Sequence, residues 1–330
     1  MLYHGAVMPI LSVRHVTIYH YNRPVAFGAH RMMLRPRDDG DQRLIEAELE
    51  ITPSPRQVTW TRDNFGNHVA TAHFDDDEAR ELRFVSNIRL DHAPADFRAT
   101  DISDFARAYP FAYAPEDRPG LERFIQPLSP HPTIDRWSAM FFRDDGSAET
   151  FELLGEMTRT IRRTFKHVSR HEKGIQAPAW TLKLGSGSCR DLAVLMIAAL
   201  RARGIAARFV SGYLHLTGDD DEDYAADGNT HAWVQVYVPG PGWVDFDPSG
   251  GSVGNKNLIR VAVAPDPREA IPLHGTWFGT AADHRAMTVA VKVTAATCDW
   301  DSGNAGTMNG RAEGGNEDAF LRHATGQRNG

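Results

Sequence analysis

Three residues in this chain carry the side-chain types of thiol-based nucleophilic catalysis, in a usable chain order: Cys189, His231 and Asp247. Cys189 directly follows Gly185-Ser186-Gly187-Ser188 and opens a long apolar run. A helix starting there sets unpaired N–H groups and about half a positive charge beside the sulfur. That setting favours thiolate over thiol and offers donors to a developing oxyanion. A thiol nucleophile also needs a base that can become an imidazolium, and a third group that orients the imidazole. His231 opens His231-Ala232-Trp233-Val234-Gln235-Val236-Tyr237-Val238, and Asp247 closes Gly242-Trp243-Val244-Asp245-Phe246-Asp247 just before Pro248. These two runs read as a hairpin, with the histidine near one end and the aspartate at the end of the returning strand.

Each residue also has a plainer reading. Free cysteines are commonly buried packing residues, fourteen other histidines are scattered through the chain, and an aspartate before proline is an ordinary turn starter. Asp245 competes for the orienting role, two residues away on the same strand face. Spacing adds a geometric problem. If Val238 pairs with Trp243 across the turn, Asp247 falls opposite Val234, about 10 Å along the strand from His231. A bulge or a looser turn is then needed to bring the two together.

The elements that position these residues are legible in part. Leu192, Leu195, Met196, Ala199 and Leu200 fall on one face of a helix expected from Ser188 to Arg203, and Gly204 supplies its stop. Leu154, Met157, Ile161 and Phe165 give a second amphipathic helix over about Ala148 to Phe165. Strands are expected over Ala207 to Leu216, Thr230 to Val238, Trp243 to Asp247, Leu258 to Val263 and Thr288 to Thr294. The first 90 residues read as strands without intervening helices, hence an antiparallel β-domain. Apolar and acidic residues alternate from Ile45 to Ile51, and Leu82, Phe84, Ser86, Ile88 and Leu90 repeat the period of two. Val16 to Tyr21 and Val69 to Phe74 are shorter strands, with turn signals at Asn22-Arg23-Pro24, Arg37 to Gly40, Pro53-Ser54-Pro55 and Asp63 to Asn67. Pro94 to Pro132 reads as a connector with short helices, and the Gly-, Asn-, Asp- and Arg-rich residues from Asp299 as a disordered tail.

Composition bounds the function. With 330 residues, 42% apolar and 24% charged, the chain can bury a sizeable core. A formal charge of −7 argues against nucleic acid as the main partner. The longest uncharged apolar run, Leu192 to Leu200, is nine residues, against roughly 20 for a membrane helix. Met1 to Val13 lacks a signal-like pattern, so a cytoplasmic protein without membrane partners is expected. Two cysteines support neither a disulfide scaffold nor a thiolate zinc site, and no metal or cofactor is expected. Cys298 has no candidate base beside it in sequence and reads as a spectator. The acidic run Gly218 to Asp223 lacks the EF-hand pattern and reads as a solvated loop. If it lay near His231 it would raise that histidine's pKa.

The runs Gly187-Ser188-Cys189-Arg190-Asp191-Leu192-Ala193 and Leu200 to Leu214 closely resemble the core of bacterial transglutaminase-like proteins. So do His231 to Tyr237 and Gly242-Trp243-Val244-Asp245-Phe246-Asp247-Pro248-Ser249. Tyr21 to Val25, Leu34 to Arg37 and Asp63 to Asn67 resemble the β-domain that precedes that core, so the likeness spans about Val13 to Thr297. It implies an α+β fold: an antiparallel β-domain, then a papain-like core with the nucleophile at a helix N-terminus beside an antiparallel sheet. The corresponding boundaries are 10–95 for the β-domain, 96–147 for the connector, 148–298 for the catalytic core and 299–330 for the tail. Carried over residue by residue, Cys189 is the nucleophile, His231 the general base and acid, and Asp247, before Pro248, the orienter in place of Asp245. Leu192 stands where the family often has Phe or Ser.

The implied chemistry is acyl transfer from an amide or peptide through a thioester. Water as acceptor makes a cysteine peptidase or amidase acting on a protein or peptide, the expected outcome. An amine as acceptor makes a crosslinking transglutaminase, and a non-catalytic binding protein on the same fold is the third reading. Trp180, Trp233 and Trp243 are candidates for the wall of an amine tunnel, although core packing is the commoner job for each.

Overall fold

A computed structural model describes residues 10–94, 96–128, 130–170, 174–216 and 230–296. The acidic run at 218–223, Cys298 and the expected tail lie outside the described residues. None of the described helices is long and apolar enough to cross a membrane.

The chain begins with five strands: β1 (Ile10–Met32), β2 (Gln42–Thr52), β3 (Gln57–Arg62), β4 (His68–His73) and β5 (Glu78–His92). They form a curled antiparallel sheet in the order β2-β5-β1-β4-β3. The alternation in β5 does what its period predicts, since Leu82, Phe84, Ser86, Ile88 and Leu90 are all buried. Asn22-Arg23-Pro24 does not end a strand as a turn signal would. β1 runs through it for 23 residues, and its register with β5 shifts between His20 and Val25. Proline offers no N–H to a ladder, and an irregularity in pairing is where a strand can hold one. In β2 a similar shift between Leu44 and Glu46 turns Ile45 outward, 43% exposed, while Leu49 and Ile51 lean on the core.

The middle of the chain supplies β6 (Ala108–Tyr109), α1 (Arg118–Ile125), α2 (Pro132–Ala139), β7 (Ala148–Glu149), α3 (Thr150–Thr164), β8 (Lys166–His167), α4 (Pro178–Leu184), β9 (Ser186–Gly187) and α5 (Cys189–Arg201). The second sheet follows: β10 (Ala207–Leu214), β11 (Thr230–Val238), β12 (Gly242–Asp247), β13 (Ser252–Val253) and β14 (Leu258–Ala264), in the order β13-β12-β11-β10-β14. Leu154, Met157 and Ile161 of α3 share one buried cluster with Leu192, Leu195 and Met196 of α5 and with Val234, Val236 and Phe246 of the sheet. Ile102, Ala106 and Ile134, from the stretch read as a connector, are buried in that same cluster.

The last two strands, β15 (Leu273–Phe278) and β16 (His284–Ala296), return to the first sheet and pair antiparallel with β1. The strand expected over Thr288 to Thr294 therefore exists, but it completes the N-terminal sheet although it lies within the span assigned to the core. Periodicity reveals a strand and never its partner, which is why pairing was out of reach of sequence reading.

The two sheets are tied face to face. Leu11, Val13, Ile88 and Leu90 of the first bury against Tyr213, Ile259 and Val261 of the second. Asn67 donates to the Val263 carbonyl at 2.7 Å and accepts its N–H at 2.9 Å, and Gln42 brackets Arg260 in the same way. His15 is buried in this interface, with Nδ1 3.0 Å from the Tyr213 hydroxyl and Nε2 2.9 Å from Thr17 Oγ1. Burial pushes its pKa down to about 4, so the native state holds His15 neutral while the unfolded chain takes up a proton near pH 6.5. Its stabilising share is complete above that value and is lost as pH falls toward 4. Urea unfolding at pH 7 and pH 5 should therefore show His15→Gln losing less stability on acidification than the wild type, by about 2 kcal/mol.

Candidate active site

Cys189 is the first residue of α5 and Ser188 its N-cap, in extended backbone. The cap is locked by Asp191 one turn in: the Ser188 N–H and hydroxyl both donate to Asp191 Oδ2, at 2.9 and 2.8 Å. Asp191 also receives the Gln176 N–H at 2.7 Å and Arg170 Nη1 at 2.9 and 2.8 Å. One buried carboxylate thus fixes both the helix start and the segment leading to it. Burial raises its pKa, but the donated N–H groups, Arg170 and the Ser188 hydroxyl together outweigh burial and hold the carboxyl below its ordinary range. The helix delivers Cys189 to a nearly closed position, 7% exposed, with its N-terminal partial charge on the sulfur side.

His231 and Asp247 arrive on neighbouring strands of the second sheet. Val238 pairs with Gly242 and Val234 with Phe246, so the turn is one residue tighter than the pairing of Val238 with Trp243 assumed from the sequence. Gly240 at φ +110° in the turn and Gly242 at φ +81° at the start of β12 supply the left-handed positions this tight connection uses. Moving the register by one residue changes which face a side chain occupies. Continued by one step, the observed register puts Asp247 across from Trp233 and on the His231 face. His231 Nε2 lies 2.7 Å from Asp247 Oδ2. No looser turn is needed; a tighter one closes the gap.

Asp247 is completely buried. Its Oδ1 accepts the Ser249 N–H at 2.9 Å, the Ser249 hydroxyl at 2.7 Å and the Gly250 N–H at 3.1 Å, leaving Oδ2 for the imidazole. With Nε2–H donated to the carboxylate, Nδ1 is the ring nitrogen that remains for the sulfur, and a side-chain hydrogen bond joins His231 to Cys189. Burial alone would lower the pKa of His231. The Asp247 charge and hydrogen bond, with those of Cys189, reverse that, and the net shift is upward. The arrangement favours the imidazolium form of His231 next to Cys189.

The competing carboxylate is engaged elsewhere. Asp245 accepts the Trp233 indole N–H at 2.6 Å and Arg260 Nη1 at 3.1 Å. The three tryptophans divide as follows: Trp233 is wholly buried, Trp243 packs under the Arg208 guanidinium at 4.1 Å, and Trp180 on α4 is 48% exposed with the Lys183 ammonium 4.6 Å from its ring. Among the described residues no His, Cys, Asp and Glu cluster could hold a metal ion.

Sequence reasoning left out Asp191, Ser249 and Arg170 as parts of the site. Ser188 and Asp191, three apart ahead of an apolar run, form a capping pattern that would have found the first. Nothing in the spacing marks Arg170. Asp191→Ala removes the acceptor shared by Gln176, Ser188 and the half-buried Arg170, and is expected to cost about 3 kcal/mol in urea unfolding.

Residues 11–91 match the bacterial transglutaminase-like N-terminal region, and residues 144–248 match the transglutaminase-like superfamily core. The chain is 27% identical over 288 residues to the uncharacterized protein ML0607 of Mycobacterium leprae, covering 86% of this chain and 98% of that protein. It is 28% identical over 296 residues to the uncharacterized protein Rv2569c of Mycobacterium tuberculosis, covering 85% and 91%. A crystal structure described as a "Putative Cysteine Protease from Cytophaga hutchinsonii" superposes with a TM-score of 0.66 over 91% of this chain and 94% of that one, at 19% identity. That likeness is one of fold. The two matched regions, in the expected order, identify the N-terminal region and the core of this chain as transglutaminase-like.

Proposed function

We propose that this protein is a thiol hydrolase that cleaves amide or peptide bonds of a protein or peptide substrate, with Cys189 as nucleophile, His231 as general base and acid, and Asp247 as orienter. The carrying observation is the contiguous hydrogen-bonded line from Asp247 Oδ2 through His231 to Cys189 at the start of α5. Each chemical role has a structural counterpart. The thiolate attacks the carbonyl carbon, and the helix N-terminus offers its positive end to the oxyanion. Collapse of the tetrahedral intermediate breaks the C–N bond, and His231 delivers its proton to the departing amine. The resulting thioester is attacked by water, whose proton goes to His231. Collapse breaks the C–S bond and frees the acid, leaving Cys189 as thiolate and His231 as imidazolium. Asp247 holds the ring by Nε2 throughout, so that Nδ1 stays aimed at the sulfur.

Water is favoured over an amine as acceptor by what the tryptophans do. Trp233 and Trp243 are committed to packing, which leaves Trp180 alone for the aromatic wall that would exclude water. Reducing conditions keep the thiol free, which suits a cytoplasmic setting.

Alkylation of Cys189 against pH tests the pair directly. Fast labelling should persist well below pH 8.5, the ordinary thiol value, and be lost in His231→Ala. Asp247→Ala should retain the thiol while lowering amide cleavage by about a hundredfold or more. Turnover of a mixed peptide pool with a labelled primary amine present separates the acceptors: new termini without label mark hydrolysis, and label incorporation marks the transferase. A slow, ordinary thiol indifferent to His231→Ala would sink the enzyme reading and leave a binding protein on this fold.

A further inference from the structure

One buried chain of side chains takes no part in bond breaking, yet ends on the imidazole. His231 and Trp233 lie two apart on β11, stacked with centroids 6.0 Å apart and planes 22° from parallel. The indole is pinned on several sides. Its N–H is given to Asp245 Oδ1 at 2.6 Å, and across the strand pair sits Gly212, where an added Cβ would come within 2.7 Å of Trp233 Cη2 and 2.0 Å of the Ile259 carbonyl oxygen. The second oxygen of Asp245 holds Arg260 Nη1 at 3.1 Å. Arg260 reaches out of β14 to both carboxylate oxygens of Asp41, just before β2. Side-chain exposure along this line is 5% for Asp245, 7% for Arg260 and 13% for Asp41.

Asp41 sits in the turn that leads into β2 of the N-terminal sheet and the other members lie on strands of the second sheet, so the line crosses from one sheet's domain to the other and stops at His231. Burying two carboxylates and a guanidinium is expensive unless they are paired, and an apolar filling is often as stable. What such a line adds over an apolar filling is a defined geometry for the ring stacked against His231.

We propose that Asp41, Arg260, Asp245 and Trp233 are positioning residues, through which the docked N-terminal β-domain sets the orientation of His231 toward Cys189. This rests on the acyl-transfer reading above and assigns the β-domain a part in assembling the site. The titratable groups around His231 are Cys189 from α5 and Asp247 from β12; those around the Asp245–Arg260 pair are Asp39 and Asp41 from the turn before β2, Arg37 just ahead of them, buried His92 at the end of β5 and Arg208 from β10. The effect of the positioning residues on the thiol passes through the imidazole.

The test is the pH profile of Cys189 alkylation in the full chain, for wild type, Asp41→Asn, Asp245→Asn, Trp233→Phe and the control Asn67→Ala. Asn67→Ala cuts the clamp on Val263 in the same interface but leaves the line intact. Asp41→Asn and Trp233→Phe are expected to move the acid limb up by about one pH unit and slow labelling near pH 6 about tenfold, while Asn67→Ala keeps the wild-type limb. If Asn67→Ala shifts the limb equally, loosening of the interface accounts for the effect and the positioning role is overturned. It is overturned too if Asp41→Asn, the least buried of the variants and the one that decides should the core variants not fold, leaves the limb in place. A wild-type thiol that titrates normally and ignores His231→Ala would instead fail the acyl-transfer reading and take the positioning proposal with it.

Discussion

A carboxylate with no exposed surface must find every partner it needs among the atoms packed around it, and Asp247 is such a carboxylate. Three donors from Ser249 and Gly250 occupy one oxygen and the His231 imidazole the other. That allocation fixes the tautomer, because an ionised carboxylate only accepts and Nε2 must then carry the proton. It also fixes which nitrogen faces the sulfur. Breaking the pair would leave a buried charge unmatched, so the hairpin register, the turn after Asp247 and the ring orientation are held together as one unit.

Two further buried carboxylates do comparable work at other corners. Asp191 gathers the N-cap serine, Gln176 and Arg170, and so determines where α5 begins and where Cys189 points. Asp245 gathers Trp233 and Arg260 and so holds the indole that stacks on the imidazole. The site is therefore assembled from three carboxylates that each join separate segments of chain. Short side chains that accept several bonds at once make good joints between a helix start, a hairpin and a neighbouring domain.

The domain arrangement follows the same logic on a larger scale. β1 begins the first sheet, and β15 and β16, which follow the second sheet in the chain, pair with it. The second sheet is thereby strapped between two passes of the first. Hydrogen bonds from Gln42 and Asn67 to the backbone of β14, together with the apolar cluster around Leu11, Leu90 and Val261, make the contact continuous.

Local chemistry was readable from residue order alone. The helix at Cys189, its apolar face, the strand carrying His231 and the alternation in β5 follow from periodicity and turn residues, which act over a few positions. Motif resemblance chose Asp247 over Asp245, and the structure places Asp247 on the imidazole and Asp245 on Trp233. Tertiary structure decided whatever depended on pairing across distance. A one-residue change of register brought Asp247 to the His231 face; irregular pairing kept β1 running past Pro24 and turned Ile45 outward; β16 joined the first sheet although it lies beyond the second in the chain. A strand's sequence specifies which of its faces is apolar, whereas its partner and register are selected by the packing of the whole molecule.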